Sequence, residues 1–153
     1  MSNRHNVHAA VFVVLERDDT VFILRRANTG WADGMWTLPS GHIDQGQTAV
    51  EAAIVESKEE AGITILPEHL EFIHVHHVFD VYVNYYFRAT QWEGEPMLGE
   101  PELCSEVQWC KRTELPQDTI MHVLKMISDV DAGLQFSDIE NDPNPSSPET
   151  YVQ

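Results

Sequence analysis

Cysteine is nearly missing from this chain, and positive charge is scarce. Cys104 and Cys110 are its two thiols, and they stand in no metal-ligand or redox spacing. That argues against a disulfide framework and a thiolate zinc site, and leads to the expectation of a reduced, cytoplasmic chain with two structural thiols. Nine Lys and Arg face 25 Asp and Glu, for a net charge of −16. So few cations provide no basic stripe for a nucleic-acid backbone and no attraction to an anionic membrane. No apolar run approaches the roughly 20 residues that a bilayer-spanning helix needs. The leading Met1-Ser-Asn-Arg-His-Asn has no signal-peptide architecture. Internal repeats, a phosphate-cradling P-loop and Ser/His/Asp or Cys/His nucleophile signatures are also missing.

What is present suits one globular domain: 153 residues, 42% of them hydrophobic, enough for a core without staples. Val7 to Leu15 and Val21 to Arg26 read as a strand hairpin across the Glu16–Thr20 turn. Ala27 to Pro39 is irregular, with Trp31 and Trp36 as large apolar anchors. Thr48 and Glu51 form a capping box for a helix that Gly62 stops. Phe72 to Phe79, Val81 to Trp92 and a short run at Val107 to Cys110 are β-like, and Glu93 to Glu106 is a long loop. Apolar residues at Ile120, Val123, Leu124 and Ile127 predict a second helix over Thr119 to Val130. From Ser137 the composition turns to Asp, Asn, Pro and Ser without Lys or Arg. The domain is therefore expected over residues 1–136, with 137–153 a disordered acidic tail.

The first helix carries the chemistry. Glu56, Glu59 and Glu60 fall at i, i+3 and i+4, on one helical face. Crowded carboxylates repel unless something offsets the charge, and hard cations such as Mg²⁺ and Mn²⁺ favour such oxygens. For the bare spacing, the alternative is a solvated acidic face.

The preceding segment decides between them. Gly41-His-Ile-Asp-Gln-Gly-Gln47, seven further residues, and Val55-Glu-Ser-Lys-Glu-Glu-Ala-Gly-Ile63 resemble the Nudix box at matching spacing, without insertion. The departures are Gln47 for the first glutamate, Val55 for the arginine and Ser57 for an aliphatic residue. Trp36-Thr-Leu-Pro-Ser-Gly41 is similar to the family's lead-in, and Phe22-Ile-Leu-Arg-Arg26 to its arginine-ended strand. The resemblance spans most of residues 7–130.

It implies an α/β protein, a Nudix-type α/β/α sandwich around a mixed β-sheet. The implied activity is metal-dependent hydrolysis of a pyrophosphate bond in a nucleoside triphosphate or other nucleoside-diphosphate derivative. Mg²⁺ or Mn²⁺ is the implied cofactor, with Ser40 (backbone carbonyl), Glu56, Glu59, Glu60 and Glu102 as its ligands. Glu56 or Glu59 serves as catalytic base, or else Glu102 or Glu106 on the long loop. Arg26, Trp31 and Asp118 are the implied substrate contacts; Trp36 reads better as core. The implied partner is a small-molecule nucleotide, with no nucleic acid or membrane expected and a homodimer left open. The rival is a catalytically impaired Nudix fold that binds a nucleotide or partner without turnover.

His74, His76 and His77, with Asp80, raise a zinc reading, because His74 and His76 share one strand face. No Cys or third-strand ligand is evident, so sheet-surface or pocket-wall histidines are the expectation.

Overall fold

β-Branched and aromatic runs become strands, and the two helical periods become two helices. The computed structural model describes residues 2–79 and 81–140. Strands β1 (His8–Arg17) and β2 (Thr20–Arg26) are followed by two short ones, β3 (Trp36–Thr37) and β4 (Ser40–His42). Helix α1 (Ala49–Ala61) leads through a single 3-10 turn to β5 (Glu71–Val78) and β6 (Tyr82–Ala89). After a long loop come β7 (Cys104–Lys111), α2 (Met121–Asp131) and β8 (Phe136–Ile139).

The strands form one mixed sheet in the order β3-β2-β1-β6-β5-β8, with β4 added on β1 and β7 on β2. β1 and β6 run parallel from His8↔Tyr82 to Leu15↔Ala89, and this ladder is the spine of the sheet. On its other edge β1 changes partner. Ala10 to Phe12 pair with β4, whereas Glu16 and Arg17 pair with β2. β2 and β4 thus diverge from one strand and leave a gap between them.

Side chains alternate across the sheet, as the pleat requires. Ala10, Phe12 and Val14 pack on one face with Ile120, Val123 and Met126 of α2. Val11, Val13 and Leu15 pack on the other with Ala52, Ala53 and Ala61 of α1. The result is the expected α/β/α sandwich, and Trp36 lies in the α2-side core at 5% exposure. No helix among the described residues is long and apolar enough to cross a membrane.

The boundary expected at Ser137 is corrected. Ser137, Asp138 and Ile139 belong to β8, which pairs in parallel with β5 through His76↔Ser137 and Val78↔Ile139. Backbone pairing holds this polar stretch in the sheet, and Ile139 is buried at its end. Residues 141–153 of the expected tail lie outside the described residues.

Helix α1 obeys its local signals. Thr48 accepts from the Glu51 N–H at 3.1 Å, and the Glu51 carboxylate accepts from the Thr48 N–H at 2.9 Å. Gly62 ends the helix in the left-handed region at φ 70. Thr48→Ala removes one partner of the box, so a loss of about 1 kcal/mol is expected, measurable by chemical denaturation. An unchanged midpoint would show that tertiary packing alone fixes this helix end.

Candidate active site

The carboxylate face of α1 is set against two glycines. Gly41 on β4 lies so close to the Glu56 carboxylate that a Cβ there would displace it. Gly99, in the long loop, lies against the helix backbone at Glu59 and Glu60, and its N–H donates to the Glu60 carbonyl at 3.1 Å. The Glu60 side chain turns under β4, where its Oε2 accepts from the Ser40 N–H at 3.0 Å.

Burial and mutual repulsion both disfavour charge here. Burial, followed by the charges of Glu59, Glu100 and Asp44, raises the Glu56 carboxyl to about 7. Glu60 is pushed well above the usual carboxylate range, mainly by burial. Glu56 and Glu100 add to the shift, while the Ser40 N–H and Arg26 oppose it. Burial and the charges of Glu59 and Glu102 also raise Glu100. An all-oxygen donor set whose charges remain uncompensated suits a hard divalent cation, so these residues fit the metal the resemblance implies.

Beside the carboxylates, the gap between β2 and β4 opens into a cavity of about 410 Å³. Phe12, Leu24, Trp31 and Tyr82 supply apolar and aromatic walls; Arg26, Ser40, Glu60 and Glu100 line it as well. Arg26 is held in place. Its Nε donates to the Trp31 carbonyl at 2.9 Å and its Nη2 to the Thr29 hydroxyl at 2.9 Å. The guanidinium carbon sits 4.9 Å from the Trp31 ring centroid. Thr37 and Asn84 add polar groups at 1% and 3% exposure, and the Thr37 hydroxyl has no hydrogen-bond partner.

Of the residues expected at the site, Arg26, Trp31, Ser40, Glu56, Glu59 and Glu60 come together at or beside this cavity. Three others do not line it. The Asp118 carboxylate lies 3.3 Å from Arg25, and Glu106 lies 3.6 Å from the same guanidinium. Glu102 uses its backbone carbonyl to accept from Asn28 at 3.1 Å. Glu100, rather than Glu102, lines the cavity. Its signal was the preceding Gly99, the close-approach residue that docks the loop on α1. Asn84 and Thr37 carried no sequence signal, because strand registry alone turns them inward.

The box departures are accommodated locally. Gln47 Oε1 accepts from the Asp44 N–H at 2.9 Å and closes the turn before α1. Val55 is 38% exposed, and the buried Ser57 hydroxyl donates to the Ala53 carbonyl at 2.8 Å. His74 and His76 are not surface or pocket-wall groups: both are fully buried beneath α2. His77 is half-buried, with Nδ1 3.5 Å from Asp138. Asp80 lies outside the described residues.

Comparison with known proteins agrees with this fold. The NUDIX domain family model matches residues 5–129. The 8-oxo-dGTP diphosphatase of Escherichia coli (strain K12) is 33% identical over 90 residues, covering 57% of this chain and 68% of that protein. The 8-oxo-dGTP diphosphatase of Proteus vulgaris is 27% identical over 96 residues, covering 62% and 86% respectively. Among solved structures, the MutT protein from Methanosarcina mazei Go1 superposes with a TM-score of 0.73 at 16% identity, covering 86% of this chain and 98% of that one. The MutT NUDIX hydrolase from Burkholderia pseudomallei gives 0.72 at 22% identity, covering 80% and 97%.

Fold, carboxylate helix and relatives together define a hydrolase of nucleotide pyrophosphate bonds. The chain belongs to the Nudix family.

Proposed function

We propose that this enzyme hydrolyses a nucleoside triphosphate or a related nucleoside-diphosphate derivative, with Mg²⁺ or Mn²⁺ as cofactor. The observation that carries this reading is the convergence of Glu56, Glu60 and Glu100, the last two lining an aromatic-walled cavity. The cavity has the volume and mixed lining of a small-molecule site. A divalent cation, when bound, neutralises phosphate charge and polarises water. Glu56, Glu59 and Glu60 would hold it, with the Ser40 backbone alongside.

The chain's own groups divide the remaining work. The nucleobase occupies the cavity between Phe12, Trp31 and Tyr82, with the buried Thr37 hydroxyl and Asn84 offered to its polar edge. Arg26 grips a phosphate oxygen. Water attacks phosphorus, the bridging P–O bond breaks, and a carboxylate, Glu100 by position, receives the proton of the attacking water.

A panel of nucleoside triphosphates, including the 8-oxo-dGTP named for the relatives, assayed with and without Mg²⁺ or Mn²⁺, tests the reading. Metal-dependent release of a nucleoside monophosphate or pyrophosphate is expected. Metal-dependent nucleotide binding with no turnover of any substrate would overturn it in favour of the impaired binding module. Arg26→Ala is expected to raise KM by roughly tenfold, the loss of one charge-assisted contact. Arg26→Lys should not restore it, because an ammonium cannot make both the Trp31 and Thr29 bonds. Steady-state kinetics that leave KM unchanged would remove Arg26 from the binding role.

A further inference from the structure

On the α2 side of the sheet lies a second group of ligand atoms that the hydrolytic site does not use. His74 and His76 occupy one face of β5, each with its side chain 0% exposed, and α2 lays Asp129 over both. Each Nε2 is 3.4 Å from the same Asp129 Oδ2, and the three ligand atoms lie within 4.8 Å of one another. From β8, the Ser137 hydroxyl stands 3.1 Å from His74 Nε2 and 2.7 Å from Asp129 Oδ2. With zinc–ligand bonds of about 2.0–2.1 Å, the edge of a coordination tetrahedron is about 3.3 Å. The two imidazole–carboxylate separations are already close to that length.

The protons point the same way. His74 Nδ1 lies 2.9 Å from the Leu134 carbonyl, which can only accept, so Nδ1 carries the hydrogen. In a neutral ring Nε2 is then a bare lone pair. The single proton of Ser137 goes to Asp129. The Tyr86 hydroxyl lies 3.2 Å from His76 Nδ1 and 3.4 Å from the His122 carbonyl; with its proton on that carbonyl, its oxygen accepts from His76 Nδ1. In that tautomer His76 Nε2 is a second lone pair, buried and 3.4 Å from Asp129 Oδ2. Two lone pairs and a carboxylate oxygen face one another, and backbone and tyrosine oxygens fix the outer nitrogens as they do for zinc-bound histidines. Lys125 lies 3.3 Å from Asp129 Oδ1, the carboxylate's other oxygen, and leaves Oδ2 to the histidines.

We propose that His74, His76 and Asp129, with Ser137 or a water as fourth ligand, form a structural four-coordinate Zn²⁺ site that ties α2 and β8 to β5. Imidazole nitrogens favour zinc, whereas the all-carboxylate helix favours harder cations, so the two sites divide the metals by chemistry.

Cobalt(II) titration of the full, metal-free chain tests this. One equivalent should give the intense visible absorption of four-coordinate cobalt, and Zn²⁺ should displace it. The band should persist in Glu56→Gln/Glu59→Gln, in which the hydrolytic site is disabled. It should vanish in Asp129→Asn, which keeps the side-chain shape and an oxygen for Ser137. Zn²⁺ at a hundredfold excess over its Kd should raise the wild-type Tm by roughly 5–10 °C and leave Asp129→Asn unmoved. His76→Gln, checked by circular dichroism, provides the same readout if Asp129→Asn does not fold. No band in the wild type, or a band that survives Asp129→Asn, overturns the site and leaves a proton-held histidine–aspartate network. A band lost with the α1 carboxylates also overturns it. Failure of nucleotide hydrolysis would leave every one of these results standing.

Discussion

Glu56→Gln is expected to slow turnover on the order of a hundred- to a thousandfold while making the metal-free protein more stable at alkaline pH. The two effects share a cause. Burial and neighbouring carboxylates hold Glu56 at about 7, against an ordinary value of 4.5. Below the ordinary value the carboxyl is neutral in folded and unfolded chains alike, and the fold is not penalised. As pH rises from about 4.5 to about 7, the unfolded chain ionises first and the folded state loses on the order of 2–3 kcal/mol relative to it. Glutamine never ionises, so the variant escapes that loss.

Thermal melts in a chelator should therefore coincide for the two proteins near pH 4.5 and separate by pH 8, with the variant higher. His76 contributes an opposite slope. Burial and the charge of His74 hold it at about 4, so its stabilising contribution is lost as pH falls from about 6.5 to about 4. That slope is common to both proteins and cancels in the comparison. Saturating Mg²⁺ should reverse the order at pH 8, because the wild type alone keeps the full carboxylate set. Parallel melting curves at every pH would show that Glu56 is solvated and unperturbed.

Gly99→Ala and Gly41→Ala should separate stability from activity. A Cβ at Gly99 meets the carbonyl oxygen of Glu59 and the backbone of Glu60, which cannot swing aside. The loop must lift from the helix, at an expected cost of about 1–3 kcal/mol and with loss of turnover as Glu100 moves away. A Cβ at Gly41 meets the flexible end of Glu56. That carboxylate can rotate, so the melting temperature should hold while kcat falls with its displacement. Equal loss of stability in both variants would mean that the Glu56 carboxylate is a packing group, and would count against its metal-binding role.

Where a feature depends on residues near one another in sequence, it was legible. Thr48, Glu51 and Gly62 fix α1 through backbone caps, and its helical repeat puts Glu56, Glu59 and Glu60 on one face. Arg26 and Trp31 reach the cavity because they flank the end of β2. Where a feature depends on what the sheet brings together, it was hidden. Glu100 owes its place to a loop docking on a helix end some forty residues earlier, and the Gly99 beside it does not by itself say which helix the loop meets. The burial of His74 and His76 is set by Asp129 and Ser137, from an element of helix and an element of strand more than fifty residues downstream. β8 was hidden for a different reason, since its polar residues join the sheet through backbone pairing that composition does not register.

The docking of the long loop also has a kinetic meaning. Met97 and Gly99 donate their N–H groups to the Ala61 and Glu60 carbonyls, which the helix itself can no longer satisfy. A stretch without regular secondary structure is therefore the terminal cap of the helix that carries the carboxylates. Loop and final turn then open as one cooperative unit, and their amides should exchange with solvent in step. An opening wide enough to release product would fray the end of α1 and loosen the grip on metal in the same event.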